Sequence, residues 1–99
     1  MKDQQLKDTR LFEKVMQENR RQVEKWGIQD HTPFEWMLYL SEELGELAQA
    51  IAENYYRGGS LEAVVKEAIQ VATLALKIAE MYQPGRDGGI AGTAGERED

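Results

Sequence analysis

Apolar residues recur along this chain at helical spacing in three separate blocks. In the first block Leu11, Phe12, Val15, Met16, Val23 and Trp26, with Asn19 in phase, follow one another at offsets of three, four, seven and eight. Lys, Arg, Glu and Gln occupy the positions between. Such spacing puts the apolar residues on one side of an amphipathic helix, predicted over about residues 4–25. Gly27 ends it, and residues 27–31 read as a connecting loop.

The second block carries its own start signal. Thr32 suits an N-cap, Pro33 the first helical position, and Glu35 can reach back to complete a capping box. His31 and Trp36 then form the hydrophobic staple across the helix start. The helix is predicted to run to about Tyr56 and to stop at Arg57-Gly58-Gly59. The third block starts after Ser60, a plausible cap, and ends near Tyr82, ahead of Pro84-Gly85. Its apolar and small residues, among them Leu61, Val65, Ile69, Val71, Leu74, Leu76 and Ile78, go almost all the way round. A helix of that kind is buried on more than one side.

These blocks predict an all-α fold, an antiparallel helical bundle of three main helices per chain occupying residues 1–83. Three helices can hardly cover the third one, so the bundle is expected to be completed by oligomerisation, as a homodimer or homotetramer. Residues 84–99 hold five of the nine glycines and one large apolar residue, and read as a disordered Gly-rich tail.

Composition narrows the functional classes. A chain of 99 residues with a net charge of -6 offers no broad basic footprint, which argues against nucleic acid and anionic lipid as partners. A polyanionic ligand would have to arrive with metal ions. With no cysteine and one histidine, thiolate and His-rich metal sites are excluded. Nothing resembles a signal peptide or the roughly 18 apolar residues of a membrane span, so a cytoplasmic location is the default expectation.

The chemistry concentrates in Glu42-Glu43-Leu44-Gly45-Glu46. Apolar residues at 40, 44, 47, 48 and 51 mark one side of this helix as core, and Glu43 and Glu46 lie beside it, one turn apart. Like charges at the edge of a low-dielectric region need raised pKa values or a cation. On the third helix Glu67, Gln70 and Lys77 form a polar stripe. Across a short antiparallel turn Glu46, roughly 12 residues before it, and Glu67, about 8 after it, reach similar heights. Glu43, Glu46, Glu67 and the Gln70 amide oxygen would make an all-oxygen site suited to Mg²⁺, or Mn²⁺, and so to a nucleotide.

Glu42-Glu43-Leu44-Gly45-Glu46 followed by Glu67-Ala68-Ile69-Gln70 resembles the acidic motif of the MazG-like, all-α nucleoside triphosphate pyrophosphohydrolases, Glu-Glu-x-x-Glu and then Glu-x-x-Asp on the next helix. The likeness covers about residues 20–82 and includes the loop Lys25-Trp26-Gly27-Ile28-Gln29-Asp30-His31. It implies Mg²⁺-dependent cleavage of a (d)NTP between the α- and β-phosphates, giving (d)NMP and pyrophosphate. By resemblance Glu43, Glu46 and Glu67 are metal ligands, and Glu42 holds a water. Gln70 departs from the pattern: a neutral amide can coordinate but adds no charge, so metal affinity should fall or the residue should act from outside the ligand shell.

For the substrate, Lys77 is the candidate phosphate contact, with Lys25 and Arg57 as weaker ones. Trp26, Gln29 and His31 are the candidates for a base pocket. Each has a plainer role: Trp26 in helix-end packing, His31 as the staple, Lys77 as a surface lysine lying along the core. The competing functional class is a non-catalytic helical dimer of the same fold, serving nucleotide binding or assembly.

Overall fold

The computed structural model describes residues 4–84 and contains three helices, α1 (Arg10–Trp26), α2 (Pro33–Arg57) and α3 (Leu61–Met81). No strand occurs among the described residues. The tail expected over 84–99 lies outside them beyond Pro84. No helix of the described residues is long and apolar enough to cross a membrane.

α1 begins later than its periodicity suggests. Residues 4–7 carry one apolar side chain, Leu6, which is exposed and has nothing to pack against. The first turn is instead closed by Asp8, whose carboxylate accepts from the Arg10 backbone N–H at 3.0 Å and from its guanidinium at 2.9 and 2.8 Å. Gly27 terminates the helix, its N–H donating to the Val23 carbonyl at 2.7 Å.

The start of α2 follows the expected chemistry. Glu35 N–H donates to Thr32 Oγ1 at 3.1 Å, and Thr32 N–H donates to Glu35 Oε1 at 2.9 Å, so two orphan donors of the first turn are satisfied reciprocally. His31 stands edge-on to Trp36 at 4.8 Å and to Tyr39 at 5.1 Å between ring centroids, the staple that sets the entry of the chain. At its other end α2 closes on Gly58, in the left-handed conformation with φ 71°, and Gly59, whose N–H donates to Glu53 O at 2.9 Å. That closure, over seven residues from Glu53 to Gly59, satisfies a terminal carbonyl. A Cβ on Gly59 would meet Glu53 Cβ at 3.1 Å and its carbonyl carbon at 3.2 Å, so neither glycine has a comfortable replacement. Asn54 Nδ2 donates to Gly59 O at 2.7 Å and fastens the turn, and Ser60 Oγ accepts from Ala63 N–H to start α3.

α3 is the central element and packs against both α1 and α2. The buried apolar residues are few: Val15 from α1, Trp36 from α2 and Leu74 from α3. The most buried residue is polar. Thr73 is 2 % exposed, and its hydroxyl donates to Ile69 O at 2.8 Å, which removes the cost of an unpaired hydroxyl in the interior. Beyond this small core many apolar side chains of the single chain face outward, including Leu61 at 72 % exposure, Val65, Leu76 and Ile51.

Candidate functional site

Glu43 and Glu46 lie one turn apart on α2, and the Gly58–Gly59 turn returns the chain so that Glu67 on α3 meets them. One carboxylate oxygen from each of the three lies within 4.8 Å of the others. Glu43 and Glu67 are half-buried and Glu46 is exposed, so the cluster opens to solvent on one side. Burial first, then the hydrogen bond to Glu67 and the charges of Glu46, Glu67 and Glu18, push the Glu43 carboxyl up to about 7. Without a cation these groups relieve their repulsion by holding a proton.

Gln70 completes the set, one turn beyond Glu67. Turned with its nitrogen inward, the amide donates to Glu43 Oε1 at 2.7 Å and to Glu67 Oε1 at 3.1 Å. Turned the other way, its oxygen faces acceptors alone, an arrangement that is stable only with a cation between them. The same side chain can thus present either a donor that ties the carboxylates together or an oxygen of the kind a cation would accept as ligand. Three carboxylates and an amide oxygen form a hard, oxygen-only donor set of the kind that suits Mg²⁺ or Mn²⁺.

Beside this cluster a cleft of about 350 Å³ runs between α1 and α2. Glu42, Glu43 and Gln70 contribute to its acidic end, and Trp26, Gln29, Trp36 and Tyr39 supply flat and polar groups. Two of the expected substrate residues, Trp26 and Gln29, are thus brought to the same cleft as the acids. Trp26 is not a core residue. It is 52 % exposed, with Lys25 Nζ 4.8 Å and the Arg21 guanidinium carbon 5.8 Å from its ring centroid. Glu42 lines the cleft but stands apart from the three clustered carboxylates.

Other expected residues lie elsewhere. Lys77 is two turns beyond Gln70 and does not line this cleft. Its ammonium donates to Gln22 Oε1 on α1 and sits 5.0 Å from the Trp36 ring centroid, and burial lowers its pKa from the ordinary value. His31 also misses the cleft lining. It faces Trp36 and Tyr39, two of the lining aromatics, with Nδ1 3.5 Å from Glu35 Oε1. Lys25 covers Trp26 from outside, and Arg57 is an exposed partner of Glu53 at the end of α2.

Sequence reasoning missed a cluster on α1. Glu18 accepts from Arg21 Nε at 3.0 Å, from Arg21 Nη2 at 2.7 Å and from Gln22 Nε2 at 2.8 Å, and Gln22 in turn accepts from Lys77. The paired guanidinium and the Gln22 amide hold the Glu18 carboxyl below its ordinary pKa despite partial burial. Glu18, Arg21 and Gln22 all line the cleft. The available signal was their spacing of three and four, one side of a helix, but among so many charged neighbours it does not stand out.

Compared with protein-family models, curated proteins and solved structures, the chain finds no match.

Proposed function

We propose that this protein is a Mg²⁺-dependent nucleoside triphosphate pyrophosphohydrolase of the MazG-like kind, with Mn²⁺ as an alternative ion, cleaving a (d)NTP to (d)NMP and pyrophosphate. The observation that carries this reading is the convergence of Glu43, Glu46 and Glu67 from two helices, with Gln70 able to turn an oxygen toward them. Like charges gathered beside a core are costly unless a cation offsets them. Bound there, a divalent ion would neutralise phosphate oxygens and acidify a water.

The remaining work falls to this chain's own residues. Glu42, at the cleft but outside the carboxylate triad, holds the attacking water and accepts its proton. The water oxygen forms a bond to the α-phosphorus as the bond from that phosphorus to the bridging oxygen breaks, and pyrophosphate leaves with that oxygen. Trp26 and Gln29 receive the base, and His31 acts on the pocket indirectly, by fixing Trp36 and Tyr39. The exposed apolar side chains of α2 and α3 support a homodimer or homotetramer, in which a second copy completes an antiparallel bundle.

The test is incubation with each NTP and dNTP in Mg²⁺ or Mn²⁺ while pyrophosphate is measured. Release is expected with the wild type, and Glu67→Gln should reduce it to background without unfolding the protein. No release with any nucleotide, together with no metal-dependent rise in melting temperature, overturns the enzyme reading. A non-catalytic dimer is favoured by one observation, the Gln70 nitrogen that can tie Glu43 to Glu67 with no ion. Nucleotide binding without turnover is its signature.

A further inference from the structure

We propose that Arg21, a residue that neither the periodicity nor the acidic motif singles out, is the group that grips the phosphate tail of the nucleotide. The inference rests on the pyrophosphohydrolase reading and adds the missing counter-charge. The cleft is lined by Glu18, Glu42 and Glu43, so a triphosphate entering it meets carboxylates of its own sign. An ion on the carboxylate triad answers the phosphate oxygens that it touches and leaves the rest. Arg21 is the one cation among the described residues that line this cleft. Lys77, the natural candidate from its stripe with Glu67 and Gln70, donates to Gln22 and lies over the Trp36 ring, two residues of the lining, without lining the cleft itself.

The geometry of Arg21 suits the task. A guanidinium has five N–H donors in a rigid fork, and the pair with Glu18 uses Nε and Nη2. Three N–H groups, including both on Nη1, are left to meet a ligand. The fork is also aimed. Glu18 is 11 % exposed at its side chain and is itself held by Gln22, which Lys77 holds, so the chain of contacts runs from α3 through α1 to the cleft. A cation oriented before its ligand arrives loses less entropy on binding than a mobile lysine does. Arg21 also stands near the Trp26 ring, which puts the phosphate contact next to the surface offered to the base.

The experiment titrates the full chain, in Mn²⁺, with the non-cleavable α,β-methylene analogues of the four ribonucleoside triphosphates and separately with the matching monophosphates, reading tryptophan fluorescence. In Arg21→Gln the triphosphate analogue should bind about 10- to 100-fold more weakly, while the monophosphate changes by less than about threefold. Arg21→Lys should recover part of the loss, since it restores charge but not the fork. Arg21 is 47 % exposed at its side chain but pairs with the largely buried Glu18, so Arg21→Gln should melt somewhat below wild type and Arg21→Lys less so, while both keep the wild-type Mn²⁺ affinity. Triphosphate binding within about twofold of wild type in Arg21→Gln, or equal weakening of both ligands, overturns the assignment. Binding of the analogue that depends on Arg21, in a protein that releases no pyrophosphate, upholds Arg21 and rejects the hydrolase reading. A wild type that binds none of the analogues rejects both.

Discussion

The molecule holds two charged clusters of similar size on opposite sides of one cleft, and they are built on opposite logic. Around Glu18, donors meet acceptors: Arg21 and Gln22 donate to the carboxylate, and Lys77 donates to Gln22. Around Glu43, charges of one sign meet, and the relief among the described residues is a proton and the nitrogen of Gln70. The first cluster is complete as it stands. The second is complete only with something added. The contrast separates a cluster whose carboxylate is satisfied inside the fold, and which thereby aims the spare N–H groups of Arg21, from one whose carboxylates still need a counter-charge.

The contrast can be broken at either cluster. The largest expected effect is at the complete one. Lys77→Met keeps the apolar stem but removes the ammonium, leaving Gln22 without its donor and Trp36 without its cation, and should cost about 2 kcal/mol. On a domain of this size that is a fall of roughly 10 °C in melting temperature, while the rise produced by Mg²⁺ should be unchanged. A loss of the Mg²⁺ response with stability intact would show Lys77 to belong to the site.

Next in size is Gln70→Asp, which removes the inward-facing donor and adds a fourth like charge. Metal-free stability should fall by about 1 kcal/mol, and Mg²⁺ affinity, followed by calorimetry, should rise about tenfold. Unchanged affinity would place Gln70 outside the ligand shell.

The third expected effect is a pH dependence, for which linkage sets an upper bound of about 3 kcal/mol that solvent screening of the open, half-buried cluster reduces. Because Glu43 titrates at about 7 when folded and near 4.5 when unfolded, its protonated form favours the folded state. Its contribution is fully present below about pH 4.5 and is lost as pH rises through 7. The metal-free melting temperature should therefore decline by a few degrees between those limits. Glu43→Gln should flatten the decline and melt higher than wild type at pH 8. A wild-type curve that rises over the same window would contradict the raised pKa.

What the sequence made legible were the features set by neighbours within one turn. Thr32-Pro33 with Glu35, and Arg57-Gly58-Gly59, mark the ends of α2 because capping depends on residues a few positions apart. The approach of Glu67 to Glu43 and Glu46 also followed, since a short turn and a fixed rise per residue leave little choice of register. The start of α1 was not legible: residues 4–7 suit a helix by composition, but Leu6 is exposed and the Asp8 carboxylate closes the first turn on Arg10 instead. Nor was the pairing of α1 with α3. The loop between Gly27 and Thr32 imposes no register, so nothing local says that Gln22 will meet Lys77 or that Arg21 will face the cleft. Thr73 likewise counts as polar by type, and its burial is visible only once its hydroxyl is seen to reach Ile69 O.

The turn at Gly58 and Gly59 has a consequence for how this chain can vary. One residue added there would rotate α3 by about 100° against α2 and advance it by about 1.5 Å, carrying Glu67 away from its two partners while every helix stayed intact. The three residues between α2 and α3 thus act as a gauge block whose length is part of the chemistry. Length added in the loop after α1 would leave Glu43, Glu46 and Glu67 together, and would instead move Gln29 relative to the cleft that it lines.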